Sequence, residues 1–237
     1  MSLDEGRLLA LEIDANYGLA PDPGNPHAVL RDPSLLAVCA WSPGARLLAL
    51  APGLALPGSV DGMEMEQEYS PGRLPDALHR LVASLDDRTV TVEGGPCFVF
   101  PDRLAVPDPA PLPVIASTTD GRRAAQHLIR PDNWQPDEWN ELINGRMGEW
   151  AMAIHDREPV SICFTPASNA TAAEAGVWTR PDVRGKRLAP AVVAAWAQRE
   201  HRTRTVLFYS TTADNHASRS VARTLGLIPL GWIWTAR

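Results

Sequence analysis

The sequence predicts an α/β fold in two parts, with a mixed sheet flanked by helices, and three observations support that prediction. In the second half of the chain, apolar strand-like runs alternate with helical patterns, which is typical of an α/β sheet. The chain has 237 residues, 45% of them hydrophobic, enough for one large domain or two small ones. The proline-rich stretch PDRLAVPDPAPLP excludes a regular helix or a central strand and predicts a boundary near residue 112. We therefore expect two parts, residues 1–111 and 112–237.

The first part shows an α/β pattern without a motif that can be tied to chemistry. Turn residues in GLAPDPGNP end the first helical segment, and SPG joins two apolar runs as a hairpin. The predicted elements are, in order, a helix over residues 1–17, a hairpin formed by LLAVCAW and ARLLALAPG, a helix over residues 74–85, and strands in TVTVEGG and CFVF.

The second part begins with two helices and continues as strands with helical crossovers. Residues 117–120 offer N-caps for the first helix, and Pro136 suits the first turn of the second. The predicted elements are, in order, helices over residues 117–129 and in DEWNELINGRMG, strands in EWAMAIHD, VSICFTP and AAEAGVWT, a helix in RLAPAVVAAWAQRE, a strand in RTVLFYST, a helix in ASRSVARTL and a strand in LIPLGWIWTA.

Charge and composition exclude several classes of function. The net charge of −6 argues against a general nucleic-acid binder. No apolar run reaches the ~18 residues of a membrane span, and Asp4 and Glu5 stand where a signal peptide would be basic, so we expect a cytoplasmic protein away from membranes. The cysteines lack metal-ligand spacing and lie in apolar runs, which predicts no metal site and three buried, reduced thiols: Cys39, Cys97 and Cys163.

A basic loop between a strand and a helix predicts a phosphate site. The strand AGVWT should end before Pro181, and the next helix should begin near Leu188. Free N–H groups and the helix dipole would favour an anion there, and Gly185 permits positive φ or close approach of a ligand. Three side chains add positive charge: Arg184, Lys186 and Arg187. A pyrophosphate is the predicted ligand, and a solvated basic turn is the alternative.

The loop and a second segment resemble two motifs of the GNAT superfamily, the acyl-CoA-dependent N-acyltransferases. The first motif is Arg or Gln, two residues, Gly, one residue, then Gly or Ala; here Arg184 and Ala189 match, while Arg187 stands where the family has glycine. The second motif is an Asn that opens a helix ending in glycine, and it falls on Asn215 and Gly226. The resemblance covers roughly residues 117–237 and implies a GNAT-like fold for 112–237, an acyl-CoA-binding domain.

The resemblance also implies the cosubstrate and the residues that bind it. The expected cosubstrate is acetyl-CoA or another acyl-CoA. Its pyrophosphate would lie on the loop, and Asn215 and Ser218 would lie near the pantetheine arm. The implied binding residues are Val177, Trp178, Thr179, Arg184, Gly185, Lys186, Arg187, Leu188, Ala189, Asn215 and Ser218.

By the same resemblance, an amine attacks the thioester directly in a ternary complex. Glu174 is the candidate base, with an exposed strand charge as the alternative. The family's usual acid, a tyrosine in the last helix, is replaced by Ala222. Tyr209 and Ser210, at the end of the preceding strand, are the candidate substitutes, with ordinary half-buried packing as the alternative for Tyr209. A thiolate that leaves without an acid is a further reading. Trp134 and Trp139 either line the acceptor pocket or pack in the core.

The acceptor and the oligomeric state stay open at this point. A small-molecule or peptide amine is expected as acceptor, and a homodimer is compatible with the sequence. The N-terminal part could be a degenerate copy of the same fold, as in the glycine N-acyltransferase-like group. Arg187 and Ala222 motivate the alternative of a non-catalytic CoA-binding or sensing module, and a structural or interaction protein is a weaker third view.

Overall fold

A computed structural model describes residues 4–20, 27–55, 68–85, 89–105 and 110–237. These residues form helices and strands in alternation, which confirms the predicted α/β class. Their contacts divide the chain into two compact units. Unit 1 comprises Met1–Phe98, Ser210–His216 and Pro229–Arg237, and unit 2 comprises Val99–Tyr209 and Ala217–Ile228.

Unit 1 is an α/β unit whose strands run in the order β1-β2-β4-β3-β11-β5. The last strand of the chain, β11, pairs antiparallel with β3, from Trp232 opposite Trp41 to Ala236 opposite Ala37. The elements are α1 Glu5–Tyr17, β1 Leu19–Ala20, β2 Ala28–Leu30, β3 Ala37–Trp41, β4 Arg46–Leu50, α2 Asp76–Ala83, β5 Val92–Val99 and β11 Ile228–Ala236.

Local sequence accounts for the ends of α1. The carboxylate of Asp4 accepts the Arg7 N–H at 2.9 Å, which caps the first turn. Gly18 follows the helix at φ 69°, and its N–H donates to the Asp14 carbonyl at 3.0 Å. The predicted first helix, the β3–β4 hairpin and the helix α2 are confirmed. The two strands expected from TVTVEGG and CFVF are one continuous strand, β5, and the short strands β1 and β2 were not predicted.

Unit 2 has the strand order β10-β9-β8-β7-β6. β9 and β10 are parallel, and the other neighbours are antiparallel. The elements are β6 Val114–Ala116, α3 Thr119–Ala125, α4 Pro136–Ile143, β7 Trp150–His155, β8 Glu158–Ser168, β9 Ala172–Thr179, α5 Leu188–Glu200, β10 Val206–Ser210 and α6 His216–Leu225. Every helix and strand predicted from residue 117 onward is present, but α3 ends at Ala125 and α4 at Ile143, each several residues before its predicted end. β6, which precedes them, was not predicted.

The two helices at the start of unit 2 begin where their caps predict. Thr118 accepts the Gly121 N–H at 3.0 Å and caps α3. Gln135 and Glu138 form a capping box at α4, and Pro136 is its first residue. Both helices pack on an apolar cluster that contains Trp134, Trp139, Leu142, Trp150 and Met152.

The C-terminal end of α5 is fixed by a buried polar network. Trp196 Nε1 donates to Thr165 Oγ1 at 3.0 Å, and the Thr165 hydroxyl donates to the Glu200 carboxylate. Glu200, only 3% exposed, also accepts the Glu149 N–H at 3.2 Å. The Glu149 carboxylate pairs with Arg199 at 3.1 Å. Because buried polar groups are costly to leave without partners, this network holds α5 in one orientation on β7 and β8.

Three smaller expectations concern the boundary, the cysteines and the membrane. Residue 112, near which the boundary was predicted, lies within unit 2, and residues 106–109 fall outside the described ranges. The assignment of 1–111 and 112–237 as two domains stays a prediction. The three cysteines are buried and free, as expected. Across the described ranges, no helix combines the length and the apolar character that crossing a bilayer demands.

Candidate functional site

Strands β9 and β10 pair only at their first residues. Ala172, Ala173 and Glu174 oppose Val206, Leu207 and Phe208, and no further pair joins the two strands among the described residues. β9 nevertheless continues to Thr179, held on its other side by β8. The side of β9 that faces away from β8 is therefore free to pair with a ligand over its last residues, where Val177, Trp178 and Thr179 are half-buried.

The loop after β9 leads into α5 through two residues with positive φ. Gly185 has φ 78°, and a side chain there would meet no atom within 4 Å. Arg187 has φ 59° and ψ 24°, the left-handed region, and it is the residue that directly precedes α5. The predicted helix start at Leu188 is confirmed. The family's glycine at position 187 thus corresponds to a backbone conformation that this chain reaches with an arginine.

The loop presents N–H donors and positive charge together. Among the described residues, the N–H groups of Gly185, Lys186 and Arg187 have no hydrogen-bond acceptor. In the first turn of α5, Leu188 and Ala189 carry further donors, whereas Pro190, the third residue, carries none. Arg184, Lys186 and Arg187, in the same loop, are exposed and add positive charge. Donors and charge of this kind fit a phosphate or pyrophosphate.

Two contacts fix this loop relative to β9. Arg184 Nε donates to the Thr179 carbonyl at 3.2 Å, which ties the loop to the end of the strand. Arg180 pairs with Asp182 at 2.7 Å and with Glu158 at 2.6 Å. The hydrogen bond between Arg180 and Asp182 raises the pKa of the guanidinium and lowers that of the carboxyl. Arg180 is therefore engaged within the protein.

The candidate base and the candidate acid are both buried. Glu174 is 5% exposed and Tyr209 is 1% exposed, so the alternative of an exposed strand charge at Glu174 is wrong. Burial raises the pKa of Tyr209 well above its ordinary value, a hydrogen bond with Ser218 opposes that rise, and Cys163 and Glu174 add to it. Burial also raises the pKa of the Cys163 thiol. The phenol of Tyr209 is thus fully protonated at neutral pH and able to donate.

The second motif has the predicted helix, with Asn215 immediately before it. The Thr212 hydroxyl donates to Asp214 Oδ1 at 2.7 Å, and the Asn215 N–H donates to the Thr212 carbonyl at 3.2 Å. Gly226 ends α6 at φ 67°, as predicted. Asn215 is exposed and Ser218 is half-buried, and their contact with the pantetheine arm stays a prediction.

The two tryptophans expected near the acceptor lie in the apolar core of unit 2. Trp134 and Trp139 are each 7% exposed and belong to one buried cluster. The Trp134 ring meets Phe164 edge to face, with centroids 5.1 Å apart. Both observations fit the packing alternative, and a role in the acceptor pocket stays a prediction.

A family model of the GNAT acetyltransferase domain matches residues 108–228, just over half of the 237 residues. The chain belongs to the GNAT acetyltransferase family. No curated protein matches it in sequence. The GNAT assignment covers the β9 edge, the basic loop and the whole of α6, so the resemblance noted in the sequence is confirmed.

Solved structures similar to this GNAT chain share little sequence with it. A GCN5-related N-acetyltransferase-like protein from Streptococcus suis is 17% identical, with coverage of 68% of this chain and 67% of that one and a TM-score of 0.47. A putative GNAT acetyltransferase from Novosphingobium aromaticivorans is 18% identical, with coverage of 98% and 92% and a TM-score of 0.46. A tandem GNAT protein from the clavulanic acid biosynthesis pathway is 15% identical, with coverage of 92% and 77% and a TM-score of 0.46. That the N-terminal part is a degenerate copy of the same fold stays a prediction.

Sequence reasoning missed two buried residues, one near the candidate acid and one at the end of α5 opposite to the basic loop. Cys163 neighbours Tyr209 closely enough to raise its pKa, yet VSICF carries only the signal of a buried strand. Glu200 ends α5, a helix with mostly buried residues, and a carboxylate is rarely buried unless it has partners. The one signal for Glu200 was its place at the C-terminus of a helix, where a negative charge is unfavourable unless it has partners.

Proposed function

We propose that this protein is an N-acyltransferase that moves an acetyl or other short acyl group from acyl-CoA to an amine. The amine attacks directly, in a ternary complex. The observation that carries the proposal is the end of β9, which lacks a β10 partner and leads into a loop with free donors. Membership of the GNAT acetyltransferase family supports acyl transfer in general.

The residues present suit acyl-CoA as cosubstrate. The donors of Gly185, Lys186 and Arg187 would take the pyrophosphate, with the three basic side chains neutralising its charge. The edge of β9 at Val177–Thr179 would pair with the amides of the pantetheine arm as an added strand does. Acyl-CoA supplies the thioester carbonyl and the thiolate leaving group.

Two buried side chains would move the protons of the reaction. The Glu174 carboxylate takes a proton from the attacking amine, directly or through water, so that nitrogen forms its bond to the carbonyl carbon. A backbone N–H of β9 stabilises the oxyanion. The carbon–sulfur bond then breaks, and the Tyr209 phenol gives its proton to the departing thiolate; the raised pKa of Tyr209 keeps that proton in place at neutral pH.

The first experiment separates binding from chemistry. Acetyl-CoA is titrated into the protein by calorimetry, and free thiol is measured with acetyl-CoA and a panel of amines. The proposal expects saturable binding and amine-dependent thiol release. Binding without release by any amine would instead favour the non-catalytic CoA-binding module, and absence of binding would overturn both.

The second experiment assigns the two proton carriers. Glu174→Gln and Tyr209→Phe should each lower kcat by about 10²- to 10⁴-fold while acetyl-CoA binding is retained. Tyr69→Phe is the control, because Tyr69 is a half-buried tyrosine packed edge-on against Trp41 in unit 1. A Tyr209→Phe variant with unchanged kcat would remove Tyr209 from the mechanism and favour thiolate release without an acid.

The acceptor and the cellular location belong to the same proposal. A small-molecule or peptide amine is the proposed acceptor, and the amine panel identifies its class. The reduced cysteines suit a cytoplasmic location.

A further inference from the structure

Unit 1 contains a cavity of about 210 Å³ whose lining includes neither the basic loop nor the edge of β9. It lies between β5, β11, the end of α1 and residues 210–212. Its walls combine hydroxyl groups with one carboxylate and one guanidinium. The lining includes Glu93, Gly95, Thr211, Thr235 and Arg237.

Strand alternation places the charged and polar groups on one face. In β5, Glu93 and Gly95 point to the same side because successive residues alternate. At the end of the chain, Ile233, Thr235 and Arg237 likewise share a side. The alternation of side chains along the two strands therefore determines which of them face the cavity.

The wall formed by residues 210–213 is anchored to the backbone of β5. The Thr211 N–H donates to the Pro96 carbonyl at 3.2 Å, and the Ala213 N–H donates to the Gly94 carbonyl at 3.1 Å. A Cβ on Gly95 would lie 1.7 Å from the Thr211 carbonyl oxygen, so only glycine allows this close approach. The wall is built from main-chain contacts, which gives the cavity a defined shape.

Hydrogen-bonding capacity remains open inside the cavity. Thr235 is 8% exposed, and the hydroxyls of Thr235 and Thr211 have no hydrogen-bond partner among the described residues. Each hydroxyl can donate or accept. Hydroxyls that lack a protein partner form their hydrogen bonds with water or with a ligand.

The charges at the cavity select the class of ligand. Arg237 and Glu93 lie 3.5 Å apart with side chains 49% and 60% exposed. An exposed pair of this kind contributes little to stability, so a ligand can separate it at little cost. A cation alone would be repelled by Arg237, and an anion alone by Glu93, whereas a zwitterion can pair with both.

We propose that this cavity binds a small zwitterionic amino acid, its carboxylate on Arg237, its ammonium on Glu93 and its side chain toward Thr235. At about 30 Å³ per water, the volume corresponds to about seven non-hydrogen atoms. Glycine, L-serine and L-threonine are close to that size. The site requires no acyl transfer, and its test needs no acetyl-CoA.

The test is calorimetric titration of the full chain with glycine, L-serine and L-threonine. Ethanolamine and 3-hydroxypropionate are the matched probes, since each keeps one charged group of L-serine and lacks the other. We expect one-to-one saturation by at least one of the three amino acids. For L-serine, each matched probe should bind at least about tenfold more weakly, the effect of losing one charged hydrogen bond.

Three variants test whether the amino acid binds in this cavity. Glu93→Gln and Arg237→Gln should each weaken amino-acid binding about tenfold, and Thr235→Val should weaken it less. Asp76→Asn is the matched control, because Asp76 pairs with Arg73 at 3.9 Å at a similarly exposed position of unit 1 outside the cavity. The proposal is overturned by absence of saturation at tens of millimolar, by ethanolamine binding as tightly as L-serine, or by charge variants that bind like Asp76→Asn.

Discussion

Replacing Arg187 with glycine measures what the left-handed backbone before α5 costs this protein. Arg187 has φ 59° and ψ 24°. For an L-residue this conformation costs roughly 1–2 kcal/mol. Glycine removes that cost, but it also gives the unfolded chain more conformational freedom, which lowers the free energy of unfolding by about 0.4–1 kcal/mol. Arg187→Gly should therefore raise the free energy of unfolding by about 0.5–1 kcal/mol. For a chain of this length the melting temperature rises by roughly 1–4 °C.

Two companion variants separate strain from charge. Arg187→Ala removes the same charge and keeps the strained conformation, so it should not be more stable than the parent. Gly185→Ala introduces a Cβ at φ 78° where no atom lies within 4 Å, so backbone strain alone acts, and stability should fall by up to about 1 kcal/mol. Urea unfolding followed by tryptophan fluorescence measures all three variants.

The two Arg187 variants should also weaken CoA binding. Arg187→Gly and Arg187→Ala each lose one exposed cation, so the Kd for CoA should rise up to about fivefold in both, and more at low salt. Calorimetry at two salt concentrations measures this. If Arg187→Gly is no more stable than Arg187→Ala, the arginine is not strained. If both bind CoA as tightly as the parent, its side chain does not reach a phosphate.

Three further predictions follow from buried contacts. Thr165→Val removes the acceptor of the Trp196 N–H and should lower the free energy of unfolding by about 1–3 kcal/mol in urea; a change no larger than that of an exposed Thr→Val variant would contradict the network. The pKa of Tyr209 is raised in the folded state, so the contribution of its phenol to the free energy of unfolding is complete below about pH 10 and is lost as pH rises further. Tyr209→Phe should therefore reduce the loss of stability at alkaline pH by up to about 1.4 kcal/mol per pH unit. An unchanged slope would contradict the burial of the phenol. Gly95→Ala forces β5 away from the Thr211 carbonyl and should cost at least about 1–3 kcal/mol in urea, whereas a neutral result would contradict the close approach.

The phosphate loop is the part of the site that could be predicted best, because its signals are local. The end of β9 before Pro181 and the start of α5 at Leu188 depend on residues within a few positions of each other. The positive φ of Gly185 follows from the same short-range chemistry. Arg187 departs from the family pattern, which the sequence shows. Its left-handed backbone conformation is fixed by the geometry of the turn and cannot be predicted from the residue type.

Burial was the property that sequence reasoning could not settle. Glu174 lies in a strand whose alternation allows either face, and only the packed structure places it at 5% exposure beside Tyr209. The buried Glu200 accepts a hydrogen bond from Thr165, 35 residues earlier in the chain. The short strand β6 follows a proline-rich stretch, which obscured a three-residue strand that pairs with β7. Long-range pairing decides each of these cases.

The position of β11 bears on how the polypeptide acquires its structure during synthesis. Unit 1 takes in Pro229–Arg237, about 130 residues after Phe98, and β11 stands between β3 and β5 in its strand order. At 5–20 residues per second, a ribosome needs roughly 7 to 26 s to cover that interval. Throughout that time β3 and β5 lack the strand that separates them, and their open edges are available to other chains. Vulnerability to aggregation should therefore be greatest in nascent chains, before Pro229–Arg237 leave the exit tunnel.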